Sequence, residues 1–243
     1  MFARTVLGAI ACLMINTTAS AGAIIGGSTL LDASGLTQLE SWLGKGQLTV
    51  SNLFTKTNGS NAQSFHRAAD GKGATFTLLK VSIDQGASWE TIGGYDPLSW
   101  DSSNSYHFNY SADRSAFVFN LSDKVKAAQR SDSQGQYQTY NNSYYGPTFG
   151  GGHDIYVDST LSSGYSQGYS FGYVGSGYFG SSSIVDQSKQ YTPLMVGALE
   201  VFSIAAYTPP AQQHVPEPAS LALVGLALFA AIGSSKSKVR RRA

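Results

Sequence analysis

The chain has a single cysteine, Cys12, and it lies in the first apolar run, so the body that follows contains none. Such a body takes no stability from disulfides, even in an oxidising compartment. Charge is scarce too: only 13% of the 243 residues are Asp, Glu, Lys or Arg, and the net charge of +1 is unevenly spread. Between Gly22 and Ser235, ten Lys and Arg face fifteen Asp and Glu, a net charge of −5. That sign excludes nucleic acid as a partner, because phosphate contacts need clustered Lys and Arg. Histidine is sparse, and His66, His107 and His153 lie far apart without metal-ligand spacing. No metal or cofactor is expected. What the chain has in abundance is glycine (27 residues) and aromatic side chains (14 Tyr and 12 Phe), which favour a β-rich domain over a helical bundle.

Both ends read as targeting segments. Arg4 precedes the apolar run "VLGAIACLMI", which is followed by "NTT" and the small residues "ASAGA". This layout is that of a secretory signal peptide over residues 1–21, cleaved after Ala21 or after Ala23. A lipoprotein signal would place Cys12 at the cleavage site, but Ala9 stands where a leucine is usual. At the other end, Ala219 to Ile232 carry no charge, and Lys236, Lys238, Arg240, Arg241 and Arg242 follow. A helix needs about 17–25 residues to span a bilayer. A segment of about 219–235 just suffices, with lysine stems reaching toward the headgroups. The basic tail, 236–243, stays cytoplasmic by the positive-inside rule, leaving the body outside.

The motif Val215-Pro216-Glu217-Pro218, the short apolar segment and the terminal arginines resemble the PEP-CTERM sorting signal of Gram-negative bacteria. That resemblance covers residues 215–243. It implies an exosortase as processing partner, cutting near the motif, and a cell-surface or exopolysaccharide-associated destination. A plain membrane anchor is the alternative.

Between these ends lies one domain. "DASGLTQLESWLG" places Leu36, Leu39 and Leu43 at helical spacing, with Asp32 or Ser34 as N-cap and Gly44 as stop. Strands are expected at Ala74–Ile83, with a slip in alternation between Leu78 and Val81, and at Ser115–Leu121. Two more are expected in "DIYVDS" and over Leu194–Tyr207. "LSDKVKAAQR" (Leu121–Arg130) reads as a short helix capped by Ser122 or Asp123. Strands dominate without regular helical alternation, which predicts a two-sheet antiparallel sandwich with a few flanking helices.

From about Leu36 to Tyr207 the order of motifs resembles the TLD (TLDc) domain. The resemblance rests on "SFHRAADGKGATFTLLKV", on "IGGYDPLSW" with Gly93, Gly94 and Tyr95, and on "SAFVFNL". It rests also on "GPTFGGGHDIYV" with Gly150, Gly151, Gly152 and Asp154, and on "GALEVFSI" with Glu200. Ile92 replaces a usual phenylalanine, and "QLTVSNLF" replaces a more aromatic strand. The resemblance implies a mainly β sandwich with flanking helices over 36–207, a lead-in at 22–35 and a linker at 208–214.

The glycine run does not read as a phosphate loop, since no Lys-Ser or Lys-Thr follows it, nor as a dinucleotide fingerprint, since a strand and not a helix comes next. Adjacent His153 and Asp154 point to opposite faces of that strand and form no couple. The run is expected to be a turn. "DPLSWDSSN" lacks the glycine and closing glutamate of a calcium loop. Glu200 is expected to bind backbone amides and pin loops. The Gly/Ser-rich stretch Gly164–Gly180, with Tyr165, Tyr169, Tyr173 and Tyr178, is expected to be a flexible loop that contacts carbohydrate or neighbouring surface proteins, or serves as a spacer. The expected function is a non-catalytic binding or structural module at the cell surface. The rival is a secreted hydrolase using Glu200 or Asp154.

Overall fold

The computed structural model describes residues 22–110, 114–173, 182–187 and 191–209. The sorting residues Val215, Pro216, Glu217, Pro218 and Arg240 to Arg242, the apolar segment 219–235 and Tyr178 lie outside them. Contacts divide the chain between Tyr207 and Thr208.

The domain is mainly β. It opens with β1 (Ala23–Ile25), helix α1 (Ala33–Leu43), β2 (Leu48–Thr55) and helix α2 (Ala62–Ala69). Strands β3 (Thr75–Ser82), β4 (Glu90–Asp96), β5 (Ser105–Phe108), β6 (Phe117–Asn120) and β7 (Val125–Gln129) follow. The described elements close with β8 (Tyr137–Asn141), β9 (Ile155–Val157), β10 (Ser163–Gln167), β11 (Phe171–Tyr173) and the long β12 (Tyr191–Ala206). The main sheet has the order β1-β2-β12-β3-β4-β6-β7-β11. Strand β12 also pairs through Tyr191–Met195 with β10, which pairs in turn with β9. The second layer is the β5-β8 ladder, joined to β9 by bridges from Phe149 to Thr139 and Ile155. The result is the expected sandwich with one departure: β1 runs parallel to β2.

Two apolar clusters cover the two faces of the main sheet. Between the layers lie Leu79, Val81, Ile92, Val118, Phe149, Ile155 and Val201, with Phe65 of α2 and Trp100. On the opposite face, Leu36 and Leu39 of α1 cover Phe76, Leu78, Tyr95, Phe117 and Phe202. This explains the broken alternation of β3. Its register with β4 is continuous from Thr75 to Val81, but both its faces are buried, so apolar residues occupy consecutive positions. The layers approach closely at Gly94, where a Cβ would stand 2.5 Å from the Phe149 ring.

Helix α1 forms as its sequence predicts. Asp32 accepts from the Gly35 amide at 2.7 Å, and Gly44 closes the helix in the left-handed conformation. Helix α2 starts with a capping box between Asn61 and Ser64. The helix expected at Leu121–Arg130 is instead a turn and β7. Lys124 has φ +57°, and the Asp123 amide donates to Asn120 Oδ1, so the polar residues shape a hairpin rather than a cap. Pairing with β6 and β11 on either side then overrides the helical preference of Ala and Lys. The stretch expected as a flexible loop, 164–180, is likewise corrected in its described part. Residues 163–167 and 171–173 are strands that pair with β9, β12 and β7.

Candidate functional site

The glycine turn organises one end of the second layer. Gly150 has φ +82°, and the His153 amide donates back to its carbonyl at 3.2 Å. A Cβ on Gly150 would overlap the Asp154 carboxylate, so this position needs glycine on two counts. His153 follows at φ +58°, an uncommon state for a residue with a side chain. The turn sends the next two side chains apart.

Asp154 goes inward. It is 1% exposed and accepts from the amides of Tyr169 (2.7 Å), Ser170 (2.9 Å) and Phe171 (2.9 Å), which fixes the β10–β11 connection. Burial pushes its carboxyl up to about 6, against the downward pull of those amides. Glu200 is also buried, and it accepts from the Thr29 amide and hydroxyl, both at 2.8 Å, and from the Ser28 hydroxyl. It ties the segment before α1 to the middle of β12. Asp154 and Glu200 share no partner. Gly93 and Gly94 lie in β4 beneath Phe119 and Phe149, and Tyr95 packs its ring 5.5 Å from Phe76 and 5.2 Å from Phe117.

Sequence reasoning missed a second polar cluster. His66 Nδ1 meets Asp70 Oδ1 at 2.8 Å, and Ser102 donates to Asp70 Oδ2 at 2.8 Å. A Ser-His-acid triad needs the hydroxyl on the far ring nitrogen. Here that nitrogen faces the carbonyls of Asn142 (3.0 Å) and Tyr145 (3.2 Å). The cluster is a clasp between α2 and the β8–β9 loop, not an activated nucleophile. Asp96 is fully buried, with Oδ2 unpartnered among the described residues. Among those residues no three His, Cys, Asp or Glu side chains converge on a possible metal position.

His153 goes the other way, into a band of tyrosines. Its Nδ1 lies 3.2 Å from the Tyr165 hydroxyl and its Nε2 3.4 Å from that of Tyr106. Its ring is near-parallel to Tyr140 (centroids 5.3 Å apart) and Tyr156 (5.8 Å), and edge-on to Tyr145. Burial lowers its pKa, which keeps the imidazole neutral at physiological pH. From this hub ring contacts run both ways, through Tyr165 to Tyr191 at 5.0 Å and through Tyr106 to Phe108 and Tyr110. Tyr137 packs beside Tyr106 at 5.1 Å. Of the expected binding tyrosines, Tyr165 belongs to this band, and Tyr169 projects half-exposed beside Gly152. Part of the band was legible. In "SYHFNY" the residues Tyr106, Phe108 and Tyr110 recur every second position, as one face of a strand does.

The fold and motifs agree with comparison to known families. The TLDc domain profile matches residues 24–205, and the chain belongs to the TLDc domain family. The PEP-CTERM protein-sorting motif matches residues 214–241, the mark of an exported protein sorted by exosortase. Among curated proteins nothing matches the chain. Among the described residues no helix is long and apolar enough to cross a membrane; the segment 219–235 lies outside them.

Proposed function

We propose that the TLDc domain is a non-catalytic binding module, carried to the cell surface by the signal peptide and sorting motif and held in the exopolysaccharide matrix. The observation that supports this reading is the state of its two buried motif acids. Asp154 is engaged by three backbone amides and Glu200 by Ser28 and Thr29, so neither faces a bond to be cut. Hydrolysis of a glycosidic bond calls for paired carboxylates flanking the substrate. Their structural use fits a scaffold whose surface does the work. Tyr165, Tyr169, Tyr173 and Tyr178 remain the proposed contact residues.

The test incubates exported protein with matrix stripped from producing cells. Retention on the matrix without release of new reducing ends is the expected result. Release of reducing ends would restore the hydrolase, and absence of retention would remove the binding role.

A further inference from the structure

We infer that the tyrosine band around His153 is a docking surface for an uncharged polysaccharide. The inference rests on the reading of the domain as an exported binding module and says which face binds and what it takes. Eight of the fourteen tyrosines join through ring contacts into one band, from Tyr191 through Tyr165, Tyr156, Tyr145, Tyr140 and Tyr106 to Tyr137 and, by way of Phe108, Tyr110. They come from five strands and the turns between them, so the band is a product of the fold. None of these rings is fully buried, and Tyr110 (76% exposed) and Tyr191 (53% exposed) stand open at the two ends.

The side-chain chemistry selects the occupant. A pyranose presents a face of C–H groups, slightly positive, and a rim of hydroxyls. A tyrosine presents the negative face of a π-system and one hydroxyl that both donates and accepts. A succession of rings offers a polymer repeated contacts of this kind, each weak and all additive along one chain. Tyrosine is enriched at protein interfaces as well, and self-association through the band is the outcome set against sugar binding below. Among the described residues, the band's other hydrogen-bonding ring is that of His153. Burial and neighbouring phenols push Tyr165 up to about 12, so its hydroxyl stays a protonated donor at any ordinary pH.

Charge decides between neutral and acidic polymers. Among the described residues no Lys or Arg stands over a ring of the band, the carboxylate of Asp158 acts on Tyr156, and the segment 22–235 is net negative. A polyanion would be repelled at this face.

The test uses exported protein against insoluble cellulose and β-1,3-glucan, and against galactomannan and alginate in affinity gels. Retention by at least one uncharged polymer, unchanged at high salt, is expected, with none on alginate. Removing one ring should weaken binding roughly two- to tenfold. Tyr191→Ser removes an exposed ring at little cost to folding, and Tyr156→Ala with Tyr165→Ala removes the middle. A middle variant that melts early is replaced by Tyr165→Leu, which keeps volume and loses the hydroxyl and π-face. Binding by no uncharged polymer, binding to alginate that salt abolishes, or a Tyr191→Ser and Tyr165→Leu protein that binds like the parent would each overturn the inference. So would loss of self-association instead of sugar binding. Should these variants keep full hold on the producing cell's matrix, the band is wrong and the binding module stands. A parent protein that the matrix does not hold removes the module itself.

Discussion

Asp154 and Asp96 are both buried carboxyls pushed up to about 6, yet their surroundings differ in kind. Asp154 is met by three amides, whereas Asp96 has the Leu98 amide on Oδ1 and no partner for Oδ2 among the described residues. Burial dominates at Asp96, opposed by the Leu98 amide and His107 and aided by Asp101. The folded state holds that proton more tightly than the unfolded chain. Its contribution is therefore largest below the unfolded value near 4 and is lost as pH rises through about 6. Denaturant midpoints at pH 4.5 and 7.5 should show this loss, up to about 2–3 kcal/mol for a two-unit shift. Asp96→Asn should narrow the gap and stabilise the protein at pH 7.5; an unchanged gap means the group is not the source. Asp154→Ala should destabilise by about 1–3 kcal/mol or more, because it leaves buried amides without an acceptor. Gly150→Ala should cost a similar amount, about 1–3 kcal/mol, through positive φ and overlap with Asp154. Gly151→Val and Gly152→Val should also melt early, since a Cβ there meets the rings of Tyr137 and Tyr169 at 2.6 Å. His153→Ala would be silent on an exposed side chain. Packed among tyrosines, it should lose measurable stability, and an unchanged melt would place that ring in solvent.

At the scale of elements, legibility followed how local the determinant was. Helix α1 could be read because its spacing, Asp32 cap and Gly44 stop all lie within thirteen residues. Strands β3, β6 and β12 could be read from continuous apolar runs. The failures share another cause. Residues Val125–Gln129 carry helix-forming Lys and Ala, and only β6 and β11 make them a strand. Residues Gly164–Tyr173 are Gly- and Ser-rich, so composition says loop, but the Asp154 carboxylate and the free edge of β12 order them. The same dependence hid the site. Glu200 could be read as a pin from its place in a motif, while the tyrosine band needed five strands to be brought together. Deleting residues 164–180 follows from this as a test. It would spare the fold if the segment were a spacer. As β10 and β11 with the partners of Asp154, its loss should abolish cooperative unfolding, read by near-ultraviolet circular dichroism.

For the whole molecule, sorting predicts a definite mass. The exported protein should begin near Gly22 and lack Arg240, Arg241 and Arg242; an intact mass that retains the three arginines would make the C-terminal segment a permanent anchor. The topology adds a constraint on timing. Strand β12 is the last element among the described residues, yet it lies inside the main sheet, pairing with β2, β3 and β10 along its length. Until it arrives, β2 and β3 have an open gap between them, and neither apolar cluster can close. The nascent chain therefore has no stable fold until nearly all of it has been made, and its long-range pairings make closure slow. Only a few residues separate the end of β12 at Ala206 from the sorting motif at 214. A chain built this way would stay threadable for export until β12 is made, a few residues short of the sorting motif.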